Sequence, residues 1–348
     1  MLPTLSHHTI VDKHLSKEAD LIITSPPAPM RAQDDMYFTG VNSRITGLLK
    51  SNKSTKAFES MHKVLDEYWS DAYSLLRPGG FLCIIANRSH RLIDKRHIYF
   101  DNASRISFAC QKKGFDALPG IMWKKPSKTP PHYMGSGMLP AGAYVSPQYH
   151  HILIFRKGKP REFNQEEKDR RAASALFCEE RNEWYLDLWP SIQQSEIDTY
   201  LNKEMSSQES VPIELYERLI MMHSIAGDMI YDPFAANTKT LLSSIITGRS
   251  STTCDDLRSG LSLISKRRLK TLLKSRIQQR IVDHISYART KDGMIMRYKN
   301  EPLGIPVQTQ QEKQIQSLNI QSIRMDKNQC AVTYRKWKKA ELQLILQN

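Results

Sequence analysis

The reading of the fold turns on "DLIITSPPAPM", residues 20–30. Leu21, Ile22, Ile23 and Thr24 form a short apolar, β-branched run of the kind that makes a buried strand. The run stops at Ser25-Pro26-Pro27, because proline lacks the N–H that a sheet ladder needs. The strand therefore ends on a rigid, polar ledge. Three further runs have the same character: "GFLCIIA" at 80–86, "HILIF" at 151–155 and "DMIYDPF" at 228–234. All four are read as buried parallel strands. Between the first two lies "AFESMHKVLDEYWSDAYSLL", 57–76, whose apolar residues Phe58, Met61, Val64, Leu65, Tyr68 and Trp69 follow helical spacing. "RPGG" then stops that helix. A second amphipathic stretch, "PIELYERLIMMHSIAG", opens at Pro212 and closes at Gly227. Strands alternating with helices predict an α/β fold with a mostly parallel sheet. Ligands in such sheets sit at the carboxyl ends of strands, where Ser25-Pro26-Pro27 and Asp232-Pro233-Phe234 fall.

Composition narrows the partners. The 348 residues carry a formal charge of +14, and the pI is near 9.5. That balance suits a polyanion, in the first place nucleic acid. No run approaches the 18 or so apolar residues of a membrane span, and the amino terminus lacks a secretory apolar core, so a cytoplasmic location is expected. Five scattered cysteines without a C-x-x-C pair read as reduced thiols, and no metal site is expected. Residues 124–144 are rich in Pro, Gly and Ser and read as a long loop. Residues 161–189 mix charge with aromatics, as a recognition insert would. "SKRRLKTLLKSR", 265–276, holds six basic residues and no acid. It reads as a solvated helix face or a phosphate-binding strip.

The ledge has a chemical use. An exocyclic amino group on cytosine or adenine is a poor nucleophile, since its lone pair is delocalised into the ring. A side-chain oxygen and a backbone carbonyl fixed at one point can accept its hydrogen bonds and favour a pyramidal nitrogen. Ser25 Oγ and the Pro26 carbonyl are the candidate acceptors, held by Pro27.

This arrangement resembles the amino-methyltransferases of DNA, whose catalytic motif reads S/D/N-P-P followed by an aromatic residue. Serine in first position after a threonine, here Thr24-Ser25, is the form typical of N4-cytosine enzymes. Asp232-Pro233-Phe234 resembles the start of the S-adenosylmethionine motif D-P-F-x-G-x-G-T. The catalytic motif precedes the cofactor motif, as in the permuted β class. "LLRPGGFLCI", "GFDALPGIMWKKPS", "MGSGMLPAGAYV", "HILIFRKG", "EERNEWYLDLW" and "PIELYERLI" look like segments of one restriction-system branch of that family. The resemblance implies a Rossmann-like methyltransferase fold with permuted motif order, loop inserts and a C-terminal extension. It implies a core over 1–265 with inserts near 124–145 and 161–205, and a basic extension over 266–348. It implies S-adenosylmethionine as cofactor, bound by Thr24, Pro212, Asp232, Pro233, Phe234, Ala236, Asn237 and Asp255. Asp255 would take the ribose hydroxyls. Double-stranded DNA is the expected partner, with a cognate restriction endonuclease or an active methyltransferase subunit as further candidates.

The sequence also departs from the family pattern. Ala28 stands where the family has Tyr or Phe, whose ring stacks on the flipped base. "DPFAANTKT" places Ala236, Asn237 and Thr238 where the family has its glycine-rich turn. Asn87-Arg88 replaces Gly-Asp, and Gln148 and His151 replace acidic residues. Three readings stay open: an active DNA amino-methyltransferase with N4 of cytosine ahead of N6 of adenine, a degenerate methyltransferase-like DNA-binding or partner subunit, and a methyltransferase acting on RNA or a small molecule.

Overall fold

The computed structural model describes residues 7, 8, 10, 11, 18–125, 134–190, 192–205, 211–234, 238–253, 265–291, 295–325 and 330–347. Ala236, Asn237 and Asp255 lie outside them, as do residues 126–133 of the expected loop. The chain divides into two compact units. The first comprises Met1–Ile23, Arg161–Leu186 and Gln193–Asn348; the second comprises Thr24–Pro160 and Asp187–Ile192.

In the first unit, residues 19–23 of strand Ala19–Thr24 pair in parallel with Met229–Asp232, which pairs in parallel with Ser250–Thr253. Ile10–Val11 adds a further parallel edge to Ser250–Thr253. Leu21, Ile22 and Ile23 are fully buried, as a strand covered on both faces requires. Helix Ile213–His223 starts immediately after Pro212, which stands at the N-cap position. Helix Lys239–Thr247 returns the chain from Met229–Asp232 to Ser250–Thr253 and ends at Gly248 with φ 74°. The basic segment forms the helix Lys266–Arg289. Its residues Leu269, Leu272, Leu273 and Ile277 share one core with Ile213, Leu241, Leu242 and Ile245. Residues 266–289 thus pack into the same interior as the helices beside the parallel strands. Within the 161–205 region the chain forms helices Gln165–Ala173, Cys178–Trp184 and Glu196–Met205.

In the second unit, helix Ser54–Leu75 buries Met61, Val64, Leu65 and Trp69 along one face. It ends where the "RPGG" signal lies, and strand Leu76–Ala86 begins at once. The "HILIF" run forms Tyr149–Arg156, but here the expectation of a parallel strand is corrected. It pairs antiparallel with both Leu76–Ala86 and Asp116–Lys124. An apolar run buried on both faces looks the same in either direction, so composition cannot set its sense. Asp116–Lys124 also pairs in parallel with the short strand Leu188–Trp189. Within the expected loop, Met134–Gly135 pairs antiparallel with Ala143–Tyr144 as a small hairpin.

No helix among the described residues is long and apolar enough to cross a membrane.

Candidate active site

The ledge belongs to the second unit. Thr24 is fully buried at the end of its strand, Pro26 is buried, and Ser25 and Pro27 are partly open. The chain then bends sharply: Arg31 N–H donates to the Ala28 carbonyl, and Met30 takes φ 65°. The Ala28 N–H donates to Asp34 Oδ2 at 2.8 Å. Arg91 pins the same turn by donating from Nε to the Met30 carbonyl at 2.7 Å while pairing with Asp35. Asn87 Nδ2 points at Ser25 Oγ from 3.5 Å, the outer limit of a hydrogen bond.

Behind the ledge stands a residue that the sequence did not single out. Asn102 is 1 % exposed and opens helix Asn102–Lys112. Its Nδ2 lies 3.3 Å from the Pro29 carbonyl, 3.1 Å from the Asn87 carbonyl and 3.0 Å from Ser89 Oγ. Its Oδ1 lies 3.0 Å from His62 Nε2. Burial lowers the His62 pKa to about 4, so the ring is neutral and donates from Nε2. One amide therefore ties the segment carrying Ser25 to the segment carrying Asn87. A lone Asn at the start of a helix has no spacing signal that would have marked it.

Ala28 is 3 % exposed. The position where the family carries a stacking ring is thus a small, buried residue within the turn.

Of the expected cofactor residues, Thr24 belongs to the second unit, and Pro212, Asp232, Pro233 and Phe234 belong to the first. Asp232 ends its strand at 2 % exposure. Its Oδ1 accepts the Phe234 N–H at 3.1 Å, and its Oδ2 accepts Thr240 Oγ1 at 2.6 Å. The carboxylate thereby shapes the turn at Pro233-Phe234 and fastens it to the following helix. Thr238, at the N-cap of that helix, has a buried Oγ1 with no hydrogen-bond partner among the described residues. A buried unsatisfied hydroxyl calls for an explanation. Together with the positive end of the helix dipole it fits the carboxylate of an amino acid. On that observation, Asp232, Phe234 and Thr238 suit the methionine end of S-adenosylmethionine.

Two residues not foreseen support Pro212. Asp198 Oδ1 accepts the Ile213 N–H at 2.9 Å and so caps helix Ile213–His223. Lys239 Nζ reaches the same oxygen at 2.8 Å and also donates to the Val211 carbonyl. Burial pulls the Lys239 pKa down, and Asp198 opposes that shift. The pair stands 41 positions apart in the chain, beyond any local pattern.

Among the described residues no cluster of three or more His, Cys, Asp or Glu is placed to hold a metal ion.

Comparison with known proteins identifies the family. Residues 19–265 match the N6_N4_Mtase family model, described as DNA methylase. The chain is 35% identical over 305 residues to the type II methyltransferase M.MthZI of Methanothermobacter thermautotrophicus, covering 86% of this chain and 84% of that one. It is 35% identical over 252 residues to the type II methyltransferase M.MjaI of Methanocaldococcus jannaschii, covering 69% and 82%. The structure of TTHA0409 from Thermus thermophilus, complexed with S-adenosyl-L-methionine, superposes with a TM-score of 0.53 at 26% identity, covering 74% and 89%. The protein belongs to the DNA methylase family, the N6/N4 amino-methyltransferases, and has their α/β fold.

Proposed function

We propose that this protein transfers a methyl group from S-adenosylmethionine to an exocyclic amino group of DNA, N4 of cytosine, as the modification enzyme of a restriction–modification system. The observation that carries the reading is Ser25: a partly open hydroxyl at the end of a buried strand, on a ledge held by Asn102. Bound S-adenosylmethionine supplies an electrophilic methyl group. Ser25 Oγ and the Pro26 carbonyl accept hydrogen bonds from the target amino group, which draws its nitrogen lone pair out of conjugation. Because Pro26 and Pro27 have fixed φ, these acceptors need no rearrangement as charge develops. Asp232, Phe234 and Thr238 hold the amino-acid end of the cofactor, and Pro212 starts the helix that covers it. Thr24, Ala236, Asn237 and Asp255 complete the proposed cofactor residues, Asp255 on the ribose. The domain reading stays as a proposal too, with 266–348 as a basic extension that flanks the duplex.

The competing reading is a catalytically degenerate subunit that binds DNA or an active partner, and the burial of Ala28 favours it. One experiment separates them. Unmethylated genomic DNA is incubated with protein and labelled cofactor, and the digested nucleosides are analysed by mass spectrometry. N4-methylcytosine from wild type, reduced about 100- to 1,000-fold in Ser25→Ala with unchanged cofactor affinity, supports the enzyme. No methylated base and no calorimetric cofactor binding would leave the degenerate subunit.

A further inference from the structure

Arg88 follows Asn87, whose side chain faces Ser25. Its guanidinium lies over the Tyr149 ring, 4.3 Å from the centroid. The strand register explains the pairing: His151 stands opposite Ala86, and continuing that antiparallel ladder brings Tyr149 alongside Arg88. Among the described residues Arg88 has no hydrogen bond or ion pair, and its Nε is buried. A partly desolvated guanidinium with no carboxylate is unusual, since buried arginines are almost always paired.

The neighbourhood is unusual in the same way. His150, stacked on Trp123 at 5.4 Å, has a buried Nδ1 without a partner among the described residues. The charges around His150 are Arg88, Lys125, Arg31 and His151, all basic, and with burial they hold its pKa near 3. Asp101, the acid that acts on neighbouring His151 and Tyr99, is spent on the Ser104 N–H and hydroxyl. Tyr149 and Tyr99 remain 38% and 49% exposed. Cationic edges and open aromatic faces, with no carboxylate paired to the guanidinium, are what an unstacked nucleotide needs.

Residue 28 cannot supply a ring, so another group must hold the base. Resting on the proposed amino-methyltransferase activity, we propose that Arg88, laid over Tyr149, reads the target base by donating to the O2 and N3 acceptors of an extrahelical cytosine. A guanidinium only donates. The Watson–Crick edge of cytosine offers two acceptors beside its amino group, whereas that of adenine offers N1 alone. Stacking on Tyr149 fixes the plane of the guanidinium while its in-plane N–H groups stay available. With O2 and N3 taken by Arg88, the amino group is left for Ser25 and Pro26.

The test compares wild type, Arg88→Met, Arg88→Lys and Tyr149→Leu in three assays. Fluorescence anisotropy with single-stranded oligo-dC and oligo-dA measures base preference at fixed salt. Methyl transfer to genomic DNA with nucleoside analysis measures turnover and product, and thermal unfolding checks integrity. Wild type is expected to prefer oligo-dC about tenfold or more, and Arg88→Met to bring the ratio near one with transfer down about ten- to a hundredfold. Arg88→Met should unfold no lower than wild type, because it removes an unpaired charge; a structural arginine would lower it. Arg88→Lys, which keeps the charge and loses the fork, should lose most of the preference, and Tyr149→Leu should lose it as well. An unchanged ratio and rate in Arg88→Met would overturn the inference while leaving the methyltransferase intact. A product of N6-methyladenine would overturn it also. A dC preference that Arg88→Met erases, in a wild type that transfers no methyl group, would leave the base seat standing and remove the catalytic reading.

Discussion

The Lys239 ammonium lies 2.8 Å from Asp198 Oδ1, and neither side chain reaches solvent. The second carboxylate oxygen takes the Ser195 N–H and hydroxyl. This pair joins the start of helix Lys239–Thr247 to the start of helix Ile213–His223, so both elements proposed to hold the cofactor are set by one contact. Removing one partner strands a buried charge. Lys239→Met is expected to lower the unfolding free energy by about 3–5 kcal/mol. The double variant Lys239→Met, Asp198→Leu should recover part of that loss. Urea unfolding of the three proteins checks it; additive losses would mean that the two residues act independently.

Asn102 should matter more to turnover than to cofactor binding. Asn102→Ala leaves the Pro29 and Asn87 carbonyls without their shared donor, at a cost of about 1–3 kcal/mol. Because the ledge then moves, methyl transfer should fall while the calorimetric affinity for S-adenosylmethionine holds. Equal loss of both, with equal loss of stability, would make Asn102 a general packing residue.

Restoring the family's ring at position 28 should not rescue anything. Ala28 is buried, and its N–H is committed to Asp34. Ala28→Tyr is expected to cost about 1–3 kcal/mol by overpacking and to leave methyl transfer no higher than wild type. A rise in transfer would show that the turn opens to admit the ring, and the base would then be held from residue 28 rather than from Arg88.

His284 predicts a pH dependence of folding. It is buried, lies between Glu179 Oε1 at 2.6 Å and the Pro306 carbonyl at 2.8 Å, and stacks on Phe177 at 3.9 Å. Both ring nitrogens face acceptors, so the charged imidazolium donates twice. Burial lowers its pKa, but the bonds to Glu179 and Pro306 outweigh that, and the net shift is upward from 6.5. A raised folded pKa means that protonation binds more tightly to the native state. The stabilisation is therefore complete below pH 6.5 and is lost as pH rises through the folded value. Melting curves from about pH 6 to about pH 9 should show a decline that His284→Gln flattens. Parallel slopes would sink the assignment.

Much of the local structure at the candidate site was legible in the chain. The "LIIT" run against Ser-Pro-Pro placed a strand end at Ser25, because two successive prolines lack the N–H groups that a ladder needs. The Asp-Pro-Phe after a second apolar run placed Asp232 at another strand end for the same local reason. Helical spacing foretold Ser54–Leu75 to within a turn at each end. Such features depend on residues near one another in sequence, and backbone sterics act at that range.

What the chain concealed lies between segments. The antiparallel sense of Tyr149–Arg156, the Asn102 amide behind the ledge, the Lys239–Asp198 pair and the Arg88–Tyr149 stack all join residues 13 to 75 positions apart. At that range the partner is chosen by whichever groups the packed core brings together, and by the penalty for leaving any buried polar group alone. The sequence alone determined where the chain must stop and turn, and therefore which residues stand at the strand ends. Only the tertiary structure decided which of those residues are already satisfied within the protein, and that Arg88 is not among them.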